Sequence, residues 1–164
     1  MKKILLFGIF IPFITYSQIE NKIEGLIINT PCELEYTRNL GNQNNYNCVL
    51  QKTDETIFQY SVTVQNLFEE MNKFQGKELQ SYKTNFLQAA RENATSNGES
   101  TESLILANGQ KALKIESYLT YLGNKFINTS IVFLYKQKSF IFNLTTNDLY
   151  SVELKQLINR IKIK

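Results

Sequence analysis

The sequence of 164 residues contains no histidine and no tryptophan, and it has only two cysteines and two prolines. Without histidine the chain cannot form a Ser-His-Asp or Cys-His catalytic arrangement, and it lacks the most common metal ligand. Asp54 and Asp148 are the only aspartates, and no carboxylate pair has a spacing typical of acid–base catalysis. A glycine-rich phosphate-binding loop is also absent. We therefore expect a protein that is not an enzyme, with no cofactor and no metal.

The start of the chain has the three parts of a secretory signal peptide. Two lysines precede an apolar run over 4–14, and Thr15 and Ser17 are small residues at the −3 and −1 positions of a cut after residue 17. An N-terminal membrane anchor is the alternative, but the run is much shorter than the roughly 20 residues that a spanning helix needs. The sequence predicts a signal peptide over 1–17 and a single domain over 18–164. We expect a periplasmic or secreted protein with no membrane span in the mature chain.

Cys32 and Cys48 lie on either side of a polar loop rich in asparagine. Two cysteines outside the cytoplasm usually pair. Apolar residues alternate on both sides of the loop, which predicts a hairpin in which Leu34 faces Tyr46 and the two cysteines face each other. Two free buried thiols are the alternative. A zinc site or a redox pair is disfavoured, because the chain has no histidine and no Cys-x-x-Cys spacing.

Composition indicates one ordered globular domain without a basic surface. Hydrophobic residues make up 43% of the chain and aromatic residues 12%, which is typical of a packed core. Lysine and arginine total 18 against 15 acidic residues, and removal of the two lysines of the signal peptide leaves 16 against 15. A nucleic-acid-binding protein needs a concentrated basic surface. We therefore expect no nucleic acid as a partner.

Apolar periodicity predicts a fold of class α+β. One half-buried strand over 56–65 precedes a helical block, and the later predicted elements are strands over 103–107, 110–121, 126–135 and 139–145 and a closing helix over 147–161. Strands that follow one another through short turns favour an antiparallel sheet over alternating βαβ units. The predicted architecture is an antiparallel β-sheet packed against two main helices, with an N-terminal hairpin stapled by the disulfide.

Turn lengths decide which residues share the core face of this sheet. A three-residue turn over 122–124 pairs Leu113 with Phe133 and gathers apolar residues on one face, whereas a two-residue turn pairs Leu113 with an even-numbered residue. We prefer the three-residue turn, and a turn over 137–138 then pairs Phe133 with Phe142. The predicted core face lies under a helix and carries Leu113, Ile115, Leu119, Ile131, Phe133, Phe140, Phe142 and Leu144.

The order of elements resembles that of PsbP-like α+β domains, which occur in many exported bacterial proteins. The segments that carry the resemblance are "YSVTV" before a helical block, the hairpins "LANGQKALKIESY" and "INTSIVFLYKQKSFIFNLTT", and the closing "LYSVELKQLINRIKI". The resemblance covers about residues 45 to 164, and the hairpin that carries the two cysteines departs from that fold. It implies a fold more than an activity, because one fold hosts many functions.

Two functions from different classes follow as hypotheses. The first is a non-enzymatic protein-binding or assembly accessory module with an unknown protein partner. The second is a small-ligand or lipid-binding domain with a cavity between sheet and helix. The candidate binding face lies opposite the predicted core face and carries Tyr118, Phe126, Val132, Leu134 and Ile141. Either another element covers this face, or it forms an open groove, since an exposed apolar patch commonly marks a binding site.

Overall fold

The structure is a computed structural model that describes residues 17–53 and 55–163. Its strands are β1 (Ile19–Ile23), β2 (Leu26–Thr30), β3 (Glu35–Leu40), β4 (Gln43–Gln51), β5 (Ile57–Asn66), β6 (Ser100–Ile105), β7 (Lys111–Tyr121), β8 (Asn124–Tyr135), β9 (Lys138–Thr146) and β10 (Ile161–Ile163). The helices are α1 (Phe68–Met71), α2 (Gly76–Ser96) and α3 (Val152–Gln156), followed by a 3-10 helix (Leu157–Arg160). The predicted signal peptide lies outside the described residues except for Ser17.

The main layer is a seven-stranded antiparallel sheet in the order β3-β4-β5-β9-β8-β7-β6. Strand β5 alternates strictly, and its even-numbered residues from Phe58 to Val64 are buried on what we call the inner face. Cross-strand partners from β9 and then β8 continue this face, because residues opposite each other in a sheet point to the same side. The mixed α/β class and the antiparallel sheet are thus confirmed.

A three-stranded sheet in the order β1-β2-β10 packs on the inner face. Leu26 and Ile28 of β2 and Ile161 of β10 share one buried cluster with the aromatic residues of the large sheet, among them Phe133 and Phe142. The core therefore lies mainly between two sheets. The expectation that a helix covers the core face is not confirmed, because the small sheet occupies most of that position, together with Leu154 of the short helix α3 and the 3-10 helix.

The hairpin β7–β8 closes through a two-residue turn, Leu122 and Gly123, so that Tyr121 pairs with Asn124. Both turn residues have positive φ, 48° and 80°. This is the backbone of the tight hairpin turns whose twist matches that of the strands. The predicted three-residue turn is therefore wrong by one residue.

This shift of one residue places each side chain of β7 on the face of the sheet opposite to the predicted one. Leu113 pairs with Val132 rather than with Phe133, and Ile115 pairs with Ser130. A slip of one residue moves every side chain of a strand to the other face of the sheet. Leu113, Ile115 and Leu119 therefore lie on what we call the outer face, which is the face that points away from the small sheet. Their assignment to the predicted core face is wrong.

The hairpin β8–β9 turns at Lys136 and Gln137, one residue earlier than predicted. Phe133 consequently pairs with Phe140 and not with Phe142. A shift of two positions in the pairing preserves the face on which each side chain lies. The predicted core residues of these two strands, Ile131, Phe133, Phe140, Phe142 and Leu144, are accordingly all buried on the inner face.

The disulfide between Cys32 and Cys48 is confirmed, with the two Cα atoms 6.0 Å apart. The predicted register around it is wrong, because Tyr46 pairs with Tyr36 and Cys32 precedes β3. Leu34 is buried, and its backbone N–H donates to the side-chain oxygen of Asn21 at 2.7 Å. This hydrogen bond therefore fixes the segment before β3 to strand β1 of the small sheet.

The predicted closing helix is mostly absent, so two main helices are not confirmed. Helix α3 has five residues and is capped by Ser151, whose side chain accepts from the backbone N–H of Glu153. The chain then passes through the 3-10 helix into β10, where Ile161 pairs with Ile28 of β2. Ile158 and Ile161 fit a helical spacing, but edge pairing with β2 determines the conformation of the last residues.

Candidate functional site

Helix α2 is the long helix of the fold, and it lies on the outer face over β6, β7 and β8. Its apolar residues follow the three- and four-residue spacing of one helix face, including Leu79, Tyr82, Phe86 and Leu87. Only Ala94 among its 21 residues is buried, however, and the rest of the stripe is half-buried. The helix therefore covers the sheet incompletely.

Two contacts hold the ends of α2 against the sheet. At its beginning, Leu79 and Tyr82 pack on a small cluster that includes Met71 of α1 and Leu134 of β8. Towards its end, Arg91 donates a hydrogen bond to the side-chain oxygen of Ser103 in β6. Phe86, in the middle of the helix, also packs on the cluster that contains Leu134.

The resulting α2 groove has a volume of about 760 Å³ and lies between the helix, β6, β7 and the loop that joins those two strands. Leu87 of the helix and Ile105 of β6 give it accessible apolar surface, above Leu113 and Leu134 of the sheet, which are only 1% and 3% exposed. Leu113 reaches this side only because the two-residue turn places β7 with its leucines outward. The shape of the groove thus depends directly on that turn.

The polar part of the α2 groove contains three cations, Lys83, Arg91 and Lys111. Amide side chains complete it, namely Gln80, Gln88, Asn108 and Gln110. The groove is lined by no aspartate or glutamate of the described residues. The groove therefore combines limited apolar surface with many hydrogen-bond donors and a net positive charge.

A smaller groove of about 500 Å³ adjoins the beginning of α2. Phe74 and Leu79 supply apolar surface, and Lys136 lies in the β8–β9 turn with φ of 54°. Lys83 lines this groove as well as the α2 groove. The two openings are therefore neighbours on either side of one lysine.

The structure brings together four of the five residues of the candidate binding face. Phe126, Val132, Leu134 and Ile141 all lie on the outer face, and Leu134 lines the α2 groove. Val132 and Leu134 are only 5% and 3% exposed, so they offer no open surface. Tyr118 lies on the other side of β7 because of the inverted register, and it is 71% exposed.

The cations of the α2 groove were not predicted from the sequence. They come from positions far apart in the chain, and the fold brings Lys111 of β7 to the helix residues Lys83 and Arg91. A signal exists within the helix, since Lys83, Leu87 and Arg91 recur every four residues and therefore share one face. The pairing of that face with β7 is a tertiary feature.

A second polar cluster lies in the core and serves packing. The hydroxyl of Tyr60 donates to the carboxylate of Glu153 at 3.1 Å, and Arg160 pairs with the same carboxylate. Burial raises the pKa of Tyr60 to about 12, against the opposing effect of the Arg160 charge. Burial also lowers the pKa of Arg160. Arg160 also donates to the backbone oxygen of Asn29 in the small sheet, so the cluster joins structural elements of the core.

Neither a metal centre nor a membrane helix is found in the described parts of the chain. Among residues 17–53 and 55–163, no three cysteine or acidic side chains are grouped so that they could bind a metal ion. No helix within these ranges combines the length and the hydropathy that crossing a bilayer requires.

Comparison with known proteins identifies no family. No protein-family model matches the chain, and no curated protein matches it. A crystal structure of a protein from Bacteroides thetaiotaomicron aligns with 85% of this chain at 9% identity and a TM-score of 0.48. The chain spans 45% of the length of that protein. A similarity at this level carries no functional argument.

Proposed function

We propose that this protein is an exported, non-enzymatic binding module that takes a small ligand into the α2 groove. The observation that carries the proposal is a groove of about 760 Å³, lined by both apolar and polar side chains, between a half-buried helix and the sheet. Ligand pockets commonly have volumes of about 300–1,000 Å³. The lack of histidine supports a role in binding rather than in catalysis.

The location and the family remain predictions. The disulfide supports an exported protein, because disulfides persist in oxidising compartments. The resemblance to PsbP-like domains is compatible with a helix on an antiparallel sheet, but it adds no activity.

The protein-binding hypothesis receives less support. It relied on an open outer face around Val132 and Leu134, and both side chains are buried. A partner protein would have to contact the uncovered remainder of that face, where Phe126 and Ile141 are half-buried. We therefore favour the small ligand.

Binding of N-phenyl-1-naphthylamine, an uncharged probe that fluoresces in apolar surroundings, tests the proposal. Thr84 lines the groove and Asn85 does not, and both are exposed on α2. We expect saturable binding to the wild type, a loss of about tenfold or more in affinity for Thr84→Trp, and no change for Asn85→Trp. Adjacent helix positions point about 100° apart, so only the first indole fills the groove.

These variants also report on binding directly. The chain has no tryptophan, so each variant carries a single indole whose emission depends on its surroundings. Absence of saturable binding to the wild type, or equal binding by the two variants, would refute the groove as the site.

Native mass spectrometry of protein purified from its own host then identifies the resident ligand, and a co-purified polypeptide would favour the protein-binding hypothesis instead.

A further inference from the structure

The charges around the α2 groove all have the same sign. Lys83 and Arg91 line it from the helix and Lys111 lines it from β7, with no carboxylate among the described lining residues. The adjoining groove adds Lys136, which lies 5.2 Å from the centre of the Tyr135 ring. The 164-residue chain carries a formal net charge of only +3, so this is a local concentration of positive charge.

No acidic side chain of the described residues neutralises these cations. The ion pairs formed within residues 17–53 and 55–163 involve Lys114, Lys138 and Arg160, and none includes Lys83, Arg91 or Lys111. Glu92 accepts a hydrogen bond from the lining residue Gln88 at 2.8 Å but does not line the groove itself. The positive potential is therefore available to a ligand.

The arrangement along α2 combines charge with apolar surface. Lys83, Leu87 and Arg91 lie on one helix face, so the two cations are separated by two turns, or roughly 12 Å along the axis. Leu87 lies between them, and Ile105 of β6 adds exposed apolar surface to the groove. Arg91 uses one N–H on Ser103, and a guanidinium has five such donors. A ligand thus meets cationic donors beside an apolar channel.

We infer that the α2 groove binds a small organic anion with an apolar chain, such as an alkyl carboxylate or an alkyl sulfate or phosphate. This inference rests on the proposed function and adds the class of ligand. The positive potential of Lys83, Arg91 and Lys111 would attract the anionic group, which hydrogen-bonds the cation it lies beside, while the chain lies along Leu87 and Ile105. A cationic amphiphile of the same length would meet repulsion, because like charges close together disfavour binding.

Displacement of N-phenyl-1-naphthylamine by three matched compounds tests the class of ligand. Decyl sulfate, decanol and decyltrimethylammonium have the same alkyl chain and differ in charge, and all are used below their micelle concentrations. We expect decyl sulfate to displace the probe at a concentration about tenfold below that of decanol, and the cation to be the weakest. The preference for decyl sulfate should decrease as salt is added, since the groove is open to solvent.

Charge reversal provides the matched variants. Lys83→Glu and Lys111→Glu should remove the preference for the anion, whereas Lys77→Glu should not, because Lys77 is an exposed residue of α2 that does not line the groove. Circular dichroism verifies that each variant folds, and Lys83→Gln serves if Lys83→Glu does not. Equal displacement by all three compounds would overturn the anionic class and leave the proposed function intact. No probe binding at all would refute the proposed function itself.

Discussion

Arg160 forms an ion pair with Glu153 while only 4% of the arginine residue is exposed to solvent. The guanidinium also donates to the backbone oxygen of Asn29 in β2 at 3.1 Å, and Glu153 accepts from Tyr60 in β5. One buried charge pair thus joins the C-terminal segment to both sheets. Removing one partner of such a pair leaves the other charge uncompensated in the core.

Glu153→Gln should therefore lower the free energy of unfolding by about 3 kcal/mol, as measured by urea denaturation. Glu33→Gln is the matched control, because Glu33 is exposed, and it should change stability by less than about 0.5 kcal/mol. The double variant Glu153→Leu with Arg160→Met should recover most of the loss, since it removes both charges. A loss below about 1 kcal/mol for Glu153→Gln would show that the pair is solvated.

Acidic pH should weaken the contact that Glu24 makes between the two sheets. This residue lies in the β1–β2 turn and accepts hydrogen bonds from Lys138 at 2.8 Å and from Asn44 at 2.7 Å. Burial alone would raise the pKa of Glu24, but these hydrogen bonds and the charge of Lys138 outweigh it and hold the pKa below the ordinary value of 4.5.

A lowered pKa in the folded state means that the unfolded chain binds a proton first as the pH falls. The stabilisation by Glu24 should thus be complete well above pH 4.5 and should be lost as the pH falls through the folded-state pKa. Urea denaturation of the wild type and of Glu24→Gln at several pH values measures this: the difference in stability should shrink towards acid. Glu20→Gln, an exposed change in β1, should leave the pH profile unaltered, and a constant difference for Glu24→Gln would contradict the assignment.

Reduction of the disulfide should destabilise the protein by about 3 kcal/mol, since it closes a loop of roughly 15 residues in the unfolded chain. Urea denaturation with and without reductant measures the difference. The double variant Cys32→Ser with Cys48→Ser should show the reduced stability in both conditions. If the wild type is equally stable with and without reductant, the bond does not constrain the unfolded state.

The β7–β8 turn offers a test of register. Leu122 has φ of 48°, a conformation that asparagine and glycine adopt far more readily than leucine, and the side chain is 83% exposed. Leu122→Asn should therefore stabilise the protein by about 1 kcal/mol. Leu122→Val should do the opposite, because β-branched residues are strained at positive φ. Thermal denaturation of both variants measures this, and destabilisation by asparagine would argue for the three-residue turn.

Much of the large sheet could be predicted because its strands alternate over long stretches. The half-buried strand over 56–65 corresponds to β5, and the aromatic residues of β9 were assigned to the core face correctly. The pairing register could not be predicted, since it depended on leucine adopting positive φ in the β7–β8 turn. One unfavourable local conformation at Leu122 is outweighed by the pairing of two long strands.

The small sheet was missed for a different reason. Strands β1, β2 and β10 have only three to five residues, and short apolar runs do not distinguish a strand from a helix. Ile161 and Ile163 become a strand only because the edge of β2 is available to them. The α2 groove likewise depends on tertiary structure, because Lys111 of β7 lies near Lys83 and Arg91 of α2 only when the strand packs beside the helix.

The pairing of β2 with β10 determines when the protein can finish folding. Ile28 and Ile161 are hydrogen-bonded neighbours in one sheet, although nearly all of the described chain separates them. During synthesis from the N-terminus, β2 has no partner on that side until β10 has been made. Long-range pairing of this kind slows folding and leaves apolar surface exposed in the meantime. The cluster that Ile161 shares with Phe133 and Phe142 can therefore be completed only after the rest of the described chain has been made.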